Sequence, residues 1–188
     1  MNPFVLVSYD EASPDVRSIY DETMREMGIS FVLNWFKCQG GNATLLRGNW
    51  EKLRATMLRG NIPFVLKQLI MYNISHQKGC TYCAHAHGVI ANSLGSTILG
   101  TETNLRITEN LDSELIPPAY KAAIQITTAC ALDPGSTSDH HFEKLSDEGF
   151  TLEEVQELMA LADLTNMINT IAEIAGIGID RELEGKLS

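Results

Sequence analysis

The sequence is poor in cysteine and in basic charge, and it contains no long apolar run. Four cysteines in a cytosolic chain of 188 residues point to redox or metal chemistry rather than to a disulfide framework. No stretch reaches the roughly 18 apolar residues that a membrane helix needs. The most apolar segment, near 160–179, is interrupted by Asp163, Asn166, Asn169 and Glu173. Basic residues number 14 against 24 acidic ones, a formal net charge of −10. Nucleic acid and anionic membranes are therefore not expected as main partners. The first residues lack a basic n-region and meet Asp10 too early for a signal peptide, so a cytoplasmic location is expected. No segment sustains the period-two alternation of a half-buried strand.

What is present is helical spacing. The length predicts one domain over residues 1–188, able to bury about 70% of its unfolded surface without staples. Residues 1–12 read as an arm, extended at Phe4 to Val7. Ser13 followed by Pro14 marks a helix start, and Gly28 stops that helix after Met27. A short helix is expected from Phe31 to Lys37, closed by Gly40-Gly41. Asn42 caps the next, whose stripe is Leu46, Trp50, Leu53 and Met57. Asn61-Ile62-Pro63 opens a helix that buries Leu66, Leu69, Ile70 and Ile74 and stops at Gly79.

Another helix is expected from Cys80 or Thr81 to Leu94, with Gly95 after it, and a short one around Glu102 to Glu109. Pro117-Pro118 opens a helix to about Leu132, broken by Asp133-Pro134-Gly135. Ser138 to Asp147 is shorter and ends at Gly149. Thr151 and Glu154 form a capping box for the last helix, Leu152 to about Ala175. The expected fold class is all-α, with core motif helices near 63–95.

The chemistry concentrates in Cys80-Thr81-Tyr82-Cys83-Ala84-His85-Ala86-His87. Positions three and four apart share a helix face, so both thiols and the His87 imidazole can meet. The thiolate is the reactive form. Two arguments name different nucleophiles. Cys80 lies near a helix N-terminus, which favours an anion. Cys83 precedes His87 by four residues, which gives it a proton partner. Either order allows a two-cysteine cycle of sulfenic acid, disulfide and re-reduction by an external dithiol. His85 projects roughly opposite Cys83 and reads as a packing or surface residue.

A metal site is the competing reading. His76, Cys80, Cys83 and His87 are spaced i, i+4, i+7 and i+11. On one continuous helix the ends are about 16 Å apart, at roughly 1.5 Å per residue, too far for ligands that sit about 2.0–2.3 Å from zinc. A kink at Gly79 would relax this, but there is no second CxxC. Two buried, inert cysteines are the third reading. Cys38 and Cys130 read as structural, and His140-His141 as a solvated helix start. No cofactor or metal is expected.

Cys80-x-x-Cys83-x-x-x-His87 in this helical setting resembles the AhpD-like core of the carboxymuconolactone decarboxylase family, and its peroxidase-related branch most of all. Cys80-Thr81-Tyr82-Cys83 is similar to that branch's Cys-x-Tyr-Cys. Ala12-Ser13-Pro14-Asp15-Val16 with Tyr20-Asp21 resembles its opening helix, and Gly149-Phe150-Thr151-Leu152-Glu153-Glu154-Val155 its Gly-Phe-Ser-x-Glu-Glu turn. Thr165-Asn166-Met167-Ile168-Asn169 is similar to its Phe-Asn-x-x-Asn, with Thr165 in place of phenylalanine.

The resemblance implies an all-α bundle that oligomerises through its helices as a dimer, trimer or hexamer. It implies a thiol peroxidase in which Cys83 is peroxidatic, Cys80 resolving and His87 the proton partner. The implied partners are a hydroperoxide and a thioredoxin- or lipoyl-type dithiol. The family's relay glutamate, twelve residues before the first cysteine, is Gln68 here. An amide hydrogen-bonds but does not titrate, and so cannot act as a general base. Tyr82 stands where well-known members have a histidine; its phenol, with a reference pKa of about 10, is a donor rather than a base. His76 is a substitute base only if it contacts His87 or Cys83. The alternatives to a peroxidase are a decarboxylase-like lyase, which does not need a CxxC pair, and a non-catalytic redox sensor or scaffold.

Overall fold

The computed structural model describes residues 2–98, 108 and 110–185. Among them there are eight α-helices and no strand. These are α1 (Pro14–Met27), α2 (Asn34–Lys37), α3 (Ala43–Met57), α4 (Phe64–Gln77), α5 (Thr81–Ile98), α6 (Pro118–Leu132), α7 (Asp139–Asp147) and α8 (Leu152–Ala175). The expected helix around Glu102 to Glu109 falls almost wholly outside the described residues.

Local chemistry sets most of the ends. The Ser13 hydroxyl accepts from the Val16 N–H, and Gly28 closes α1 with φ 67°. Asn42 caps α3 through the Leu45 N–H. Thr151 and Glu154 form the reciprocal capping box of α8. Ser138 N–H donates to His141 Nδ1 at 3.2 Å, so His141 serves the start of α7.

Two ends differ from expectation. The second helix is a single turn, because the chain from Phe31 to Leu33 is not helical and Leu33 is its extended N-cap. The fifth helix continues through Gly95 to Ile98. Glycine costs only about 1 kcal/mol inside a helix, which flanking turns can carry.

One contiguous apolar cluster runs from Ala12 to Ala172 and holds the stripes of α1, α3, α4, α5, α6 and α8. Helix α4 is central and is buried on nearly every side. Its pairing with α8 sets their direction. Near the start of α4 the buried Lys67 ammonium forms an ion pair with Glu157 and donates to Thr56 O at 2.8 Å. Glu157 also accepts from the Asn61 N–H at 2.8 Å. Near the end of α4, Ser75 Oγ donates to Asn169 Oδ1 at 2.9 Å. Lys67 meets Glu157 and Ser75 meets Asn169, so the two helices run parallel.

The arm is anchored where Val7 N–H donates to Lys37 O at 3.0 Å and Tyr20 Oη donates to Val7 O at 3.1 Å. No helix among the described residues is long and apolar enough to cross a membrane.

Candidate active site

The site is built on the break between α4 and α5. Gly79 takes φ 74°, a left-handed conformation that glycine adopts without steric cost. Its N–H donates to His76 O at 3.1 Å, and the Cys80 N–H donates to Ser75 O at 2.9 Å. Those two bonds are a Schellman closure of α4. The Cys80 carbonyl then accepts from the Ala84 N–H at 2.9 Å and opens α5. Cys80 therefore sits at the N-cap, where an anion is favoured, and Cys83 lies one turn in. Both thiols are free and only 1% exposed.

The two thiols lie one turn apart and are electrostatically unequal. Interaction with Cys83 lowers the Cys80 thiol below its ordinary value, against burial and against the nearby Glu173 carboxylate. The same interaction raises Cys83, and burial and the negative charge on Cys80 raise it further. The resting pair thus favours a thiolate on Cys80 and a proton on Cys83.

His87 is placed by Gln68. The imidazole Nδ1 and Gln68 Oε1 are 2.8 Å apart, and both residues are buried. An amide oxygen only accepts, so Nδ1 carries the proton and Nε2 keeps its lone pair. Burial pushes His87 down to about 4, which leaves the ring neutral near pH 7. Gln68 Nε2 is buried without a partner.

Tyr82 is occupied elsewhere. Its hydroxyl donates to Asp180 Oδ2 at 2.7 Å and accepts from the Trp35 N–H at 3.4 Å. Asp180 Oδ1 accepts from the Asn34 N–H at 2.6 Å, a carboxylate at the start of α2. Burial raises the Asp180 carboxyl above its usual range. Burial likewise raises the Tyr82 phenol. The chain beyond α8 is thereby pinned over the motif helix, and His85 Nε2 lies 2.8 Å from Leu183 O on the same tail.

The two cysteines open on different sides of α5. Cys83 and His87 line a cavity of about 110 Å³ whose other walls are apolar, among them Phe31, Trp35, Ile90 and Leu183. Cys80 lines a more open groove of about 410 Å³ with Ser75, His76, Thr81 and His85.

The sequence-predicted residues divide accordingly. Cys80, Cys83, His87 and Gln68 come together along the α4–α5 hairpin. His76 is exposed, stacks at 5.8 Å from Tyr72 and borders the Cys80 groove rather than the cavity holding His87. Among the described residues, no group of three or more His, Cys, Asp or Glu side chains is placed to hold a metal ion. Cys38 donates to Trp35 O at 3.2 Å, and burial pushes its thiol up to about 11. Cys130 accepts from Thr137 Oγ1 at 3.2 Å.

Sequence reasoning missed the roles of Glu173 and Asp180. A carboxylate interrupting the most apolar helix was a usable sign for Glu173. Asp180 follows Gly176-Ile177-Gly178-Ile179 with no pattern to mark it.

The sequence matches no family model and no curated protein. The structure does have counterparts. An uncharacterized peroxidase-related protein with an alkylhydroperoxidase AhpD core, from Ralstonia eutropha JMP134, superposes with TM-score 0.81 at 22% identity, covering 96% of this chain and 93% of the other. An uncharacterized peroxidase-related protein from Silicibacter sp. TM1040 gives TM-score 0.80 at 17% identity, covering 98% and 95%. The debrominase Bmp8 gives TM-score 0.74 at 21% identity, covering 93% and 90%, and a cysteine-to-alanine variant of it is known in complex with 2,3,4-tribromopyrrole. The chain therefore has the all-helical AhpD-core fold that its motif resembles.

Proposed function

We propose that this protein is a thiol oxidoreductase that reduces a hydroperoxide with the Cys83–Cys80 pair. The observation that carries the reading is the sidedness of the pair. Cys83 shares an apolar cavity with His87, while Cys80 borders a separate, more open groove of mixed character.

In the cycle, the Cys83 thiolate attacks the distal oxygen of the hydroperoxide, forming a sulfenic acid and releasing an alkoxide that is protonated to the alcohol. The Cys80 sulfur then displaces hydroxide from the sulfenic sulfur. The products are a Cys80–Cys83 disulfide and, after protonation, water. The pair loses two electrons and the peroxide gains them. An external dithiol of thioredoxin or lipoyl type returns them by thiol–disulfide exchange, and the groove at Cys80 is where it reaches the disulfide. His87, neutral and oriented by Gln68, lines the same cavity as Cys83 and serves as a transient proton carrier through its unprotonated Nε2. Assembly as a homo-oligomer belongs to the same proposal; Leu152 and Ile174, at 75% and 62% exposure on α8, are apolar surface it would cover.

The deciding experiment is hydroperoxide consumption with dithiothreitol by wild type, Cys83→Ser and Cys80→Ser. We expect turnover in wild type alone. Equal activity in all three ends the proposal.

A second reading is reductive dehalogenation of an aromatic ring. It is favoured by the aromatic and aliphatic walls of the Cys83 cavity and by the debrominase that shares the fold. It uses the same two electrons, so bromide release from a brominated pyrrole, measured beside peroxide consumption, separates the two. A lyase would not need the thiol pair.

A further inference from the structure

The carboxylate that the motif lacks at Gln68 has a counterpart on another helix. Helix α8 runs parallel to α4, and Asn169 meets Ser75 at 2.9 Å near the end of α4. Glu173 follows Asn169 by four residues and so shares its face one turn further on. One turn beyond Ser75, α4 has ended and the chain has reached Cys80, whose own N–H bonds back to Ser75 O at 2.9 Å. The register therefore carries Glu173 to the neighbourhood of Cys80, where its carboxylate pushes the thiol up. Unlike the buried thiols, Glu173 is exposed and stands in contact with solvent.

We propose that Glu173 is the proton acceptor of the thiol pair, taking over from the opposite side of the site the role that a carboxylate at position 68 would serve. The inference rests on the peroxidase reading above. It also accounts for a difficulty in that reading, since the resting pair favours a thiolate on Cys80 while the substrate cavity belongs to Cys83. When Cys80 donates its S–H to the Glu173 carboxylate, the proton shared by the thiols moves from Cys83 to Cys80, and Cys83 is left as the attacking thiolate. Once the sulfenic acid has formed, the Cys80 proton passes to Glu173 as Cys80 attacks. The disulfide bond forms, the S–O bond breaks, and the proton neutralises the departing hydroxide as water. The alkoxide released in the first step takes its proton from solvent water, and Glu173 returns to its carboxylate.

The other titratable groups near Cys80 are Cys83 on α5 and the groove residues Tyr72, His76 and His85. His85 is bound to Leu183 O, and His76 stacks on Tyr72. Of these groups and Glu173, it is Glu173 and Cys83 that shift the Cys80 thiol.

The test compares wild type, Glu173→Gln and Glu173→Asp in two measurements. One is kcat for cumene hydroperoxide with dithiothreitol. The other is the pH midpoint of iodoacetamide alkylation at Cys80 and Cys83, resolved by peptide mass. General acid–base groups contribute on the order of 10²–10⁴-fold, so Glu173→Gln should lower kcat at least about tenfold. Glu173→Asp should recover part of that loss.

Losing a negative charge beside the thiols must also shift the alkylation midpoint to lower pH. Easier thiolate formation together with slower turnover is a pairing that a merely structural residue does not produce. Active wild type with an unchanged Glu173→Gln rate overturns the relay alone, as does a slower rate with an unmoved midpoint. Wild type inert toward hydroperoxide overturns the underlying reading and the relay with it.

Discussion

His87 Nδ1 and Gln68 Oε1 lie 2.8 Å apart across the α4–α5 hairpin, both buried. This bond fixes the imidazole tautomer without giving it a charge partner. Gln68→Glu would place a carboxylate at the same distance and favour the imidazolium. Opposite charges in contact shift a pKa by about one to three units, so the His87 titration midpoint should rise from about 4 toward neutral pH. NMR titration of the imidazole Cε1 proton measures this directly. A midpoint unchanged in Gln68→Glu would show that the pair is not coupled as described.

The same residue makes stability depend on pH. The ring titrates at about 4 when folded and near 6.5 when unfolded. Between those values the unfolded chain binds more protons, so stability is full above about pH 6.5 and falls as pH drops toward 4. The loss attributable to His87 is on the order of 3 kcal/mol. Asp180 acts in the opposite sense. Its folded carboxyl is raised, so its contribution is present at low pH and lost as pH rises through the folded value. Urea unfolding of wild type and His87→Asn across this range should show the slope in wild type and a flatter curve in the variant. Parallel curves would exclude His87 as the source.

Much of this architecture is legible in the sequence because local chemistry determines it. Ser13-Pro14, Asn42 and the Thr151–Glu154 box start helices, and Gly28 and Gly79 end them, by contacts within a few residues. The i, i+3 and i+7 spacing of Cys80, Cys83 and His87 forms one half of the site in the same way. The other half depends on contacts between distant segments. Lys67 finds Glu157 ninety residues later, Tyr82 finds Asp180, and Cys80 finds Glu173. None of these pairs has a periodicity, and each exists only once α8 and the tail have packed. The second helix is shorter than the apolar residues from Phe31 suggest, since Phe31 and Leu33 line the cavity wall instead of extending it.

Tyr82 and Asp180 tie the tail to the motif helix, so Tyr82→Phe tests what the tail does for the site. The substitution removes one donor from a buried carboxylate, which costs about 1–3 kcal/mol. Leu183, three residues beyond Asp180, forms part of the cavity wall. Alkylation of Cys83 should therefore accelerate in Tyr82→Phe by more than the global loss of stability explains. Hydrogen exchange across residues 177–185 should localise the opening to the tail.

Lys67 and Glu157 form a buried ion pair that also holds the turn before α4 through the Asn61 N–H. Lys67→Met leaves the carboxylate without its cation. Removing one member of such a pair costs about 3–5 kcal/mol, measured as a shift in the urea midpoint at constant slope. Because Lys67 immediately precedes Gln68, the His87 titration in the variant reports whether the α4 register has moved. A loss below about 1 kcal/mol would mean the pair is structurally idle.

The cavity beside Cys83 makes its own prediction about substrate. Its volume of about 110 Å³ and its apolar lining give hydrogen peroxide little to bind but offer a hydrocarbon group a place to leave water. Burying about 100 Å² of apolar surface contributes about 2.5 kcal/mol, a factor on the order of 10 to 100 in kcat/KM. Cumene hydroperoxide should therefore be preferred over hydrogen peroxide by that margin. Ala86 lies on the cavity wall between His85 and His87. In Ala86→Phe, a phenyl group would occupy the space the cumyl group needs. The preference should collapse because kcat/KM falls for cumene hydroperoxide while the value for hydrogen peroxide changes little. A mutation that disturbed Cys83 or His87 would slow both substrates together. Selective loss would thus place the substrate in this cavity, and equal loss would place the defect in the thiol machinery instead.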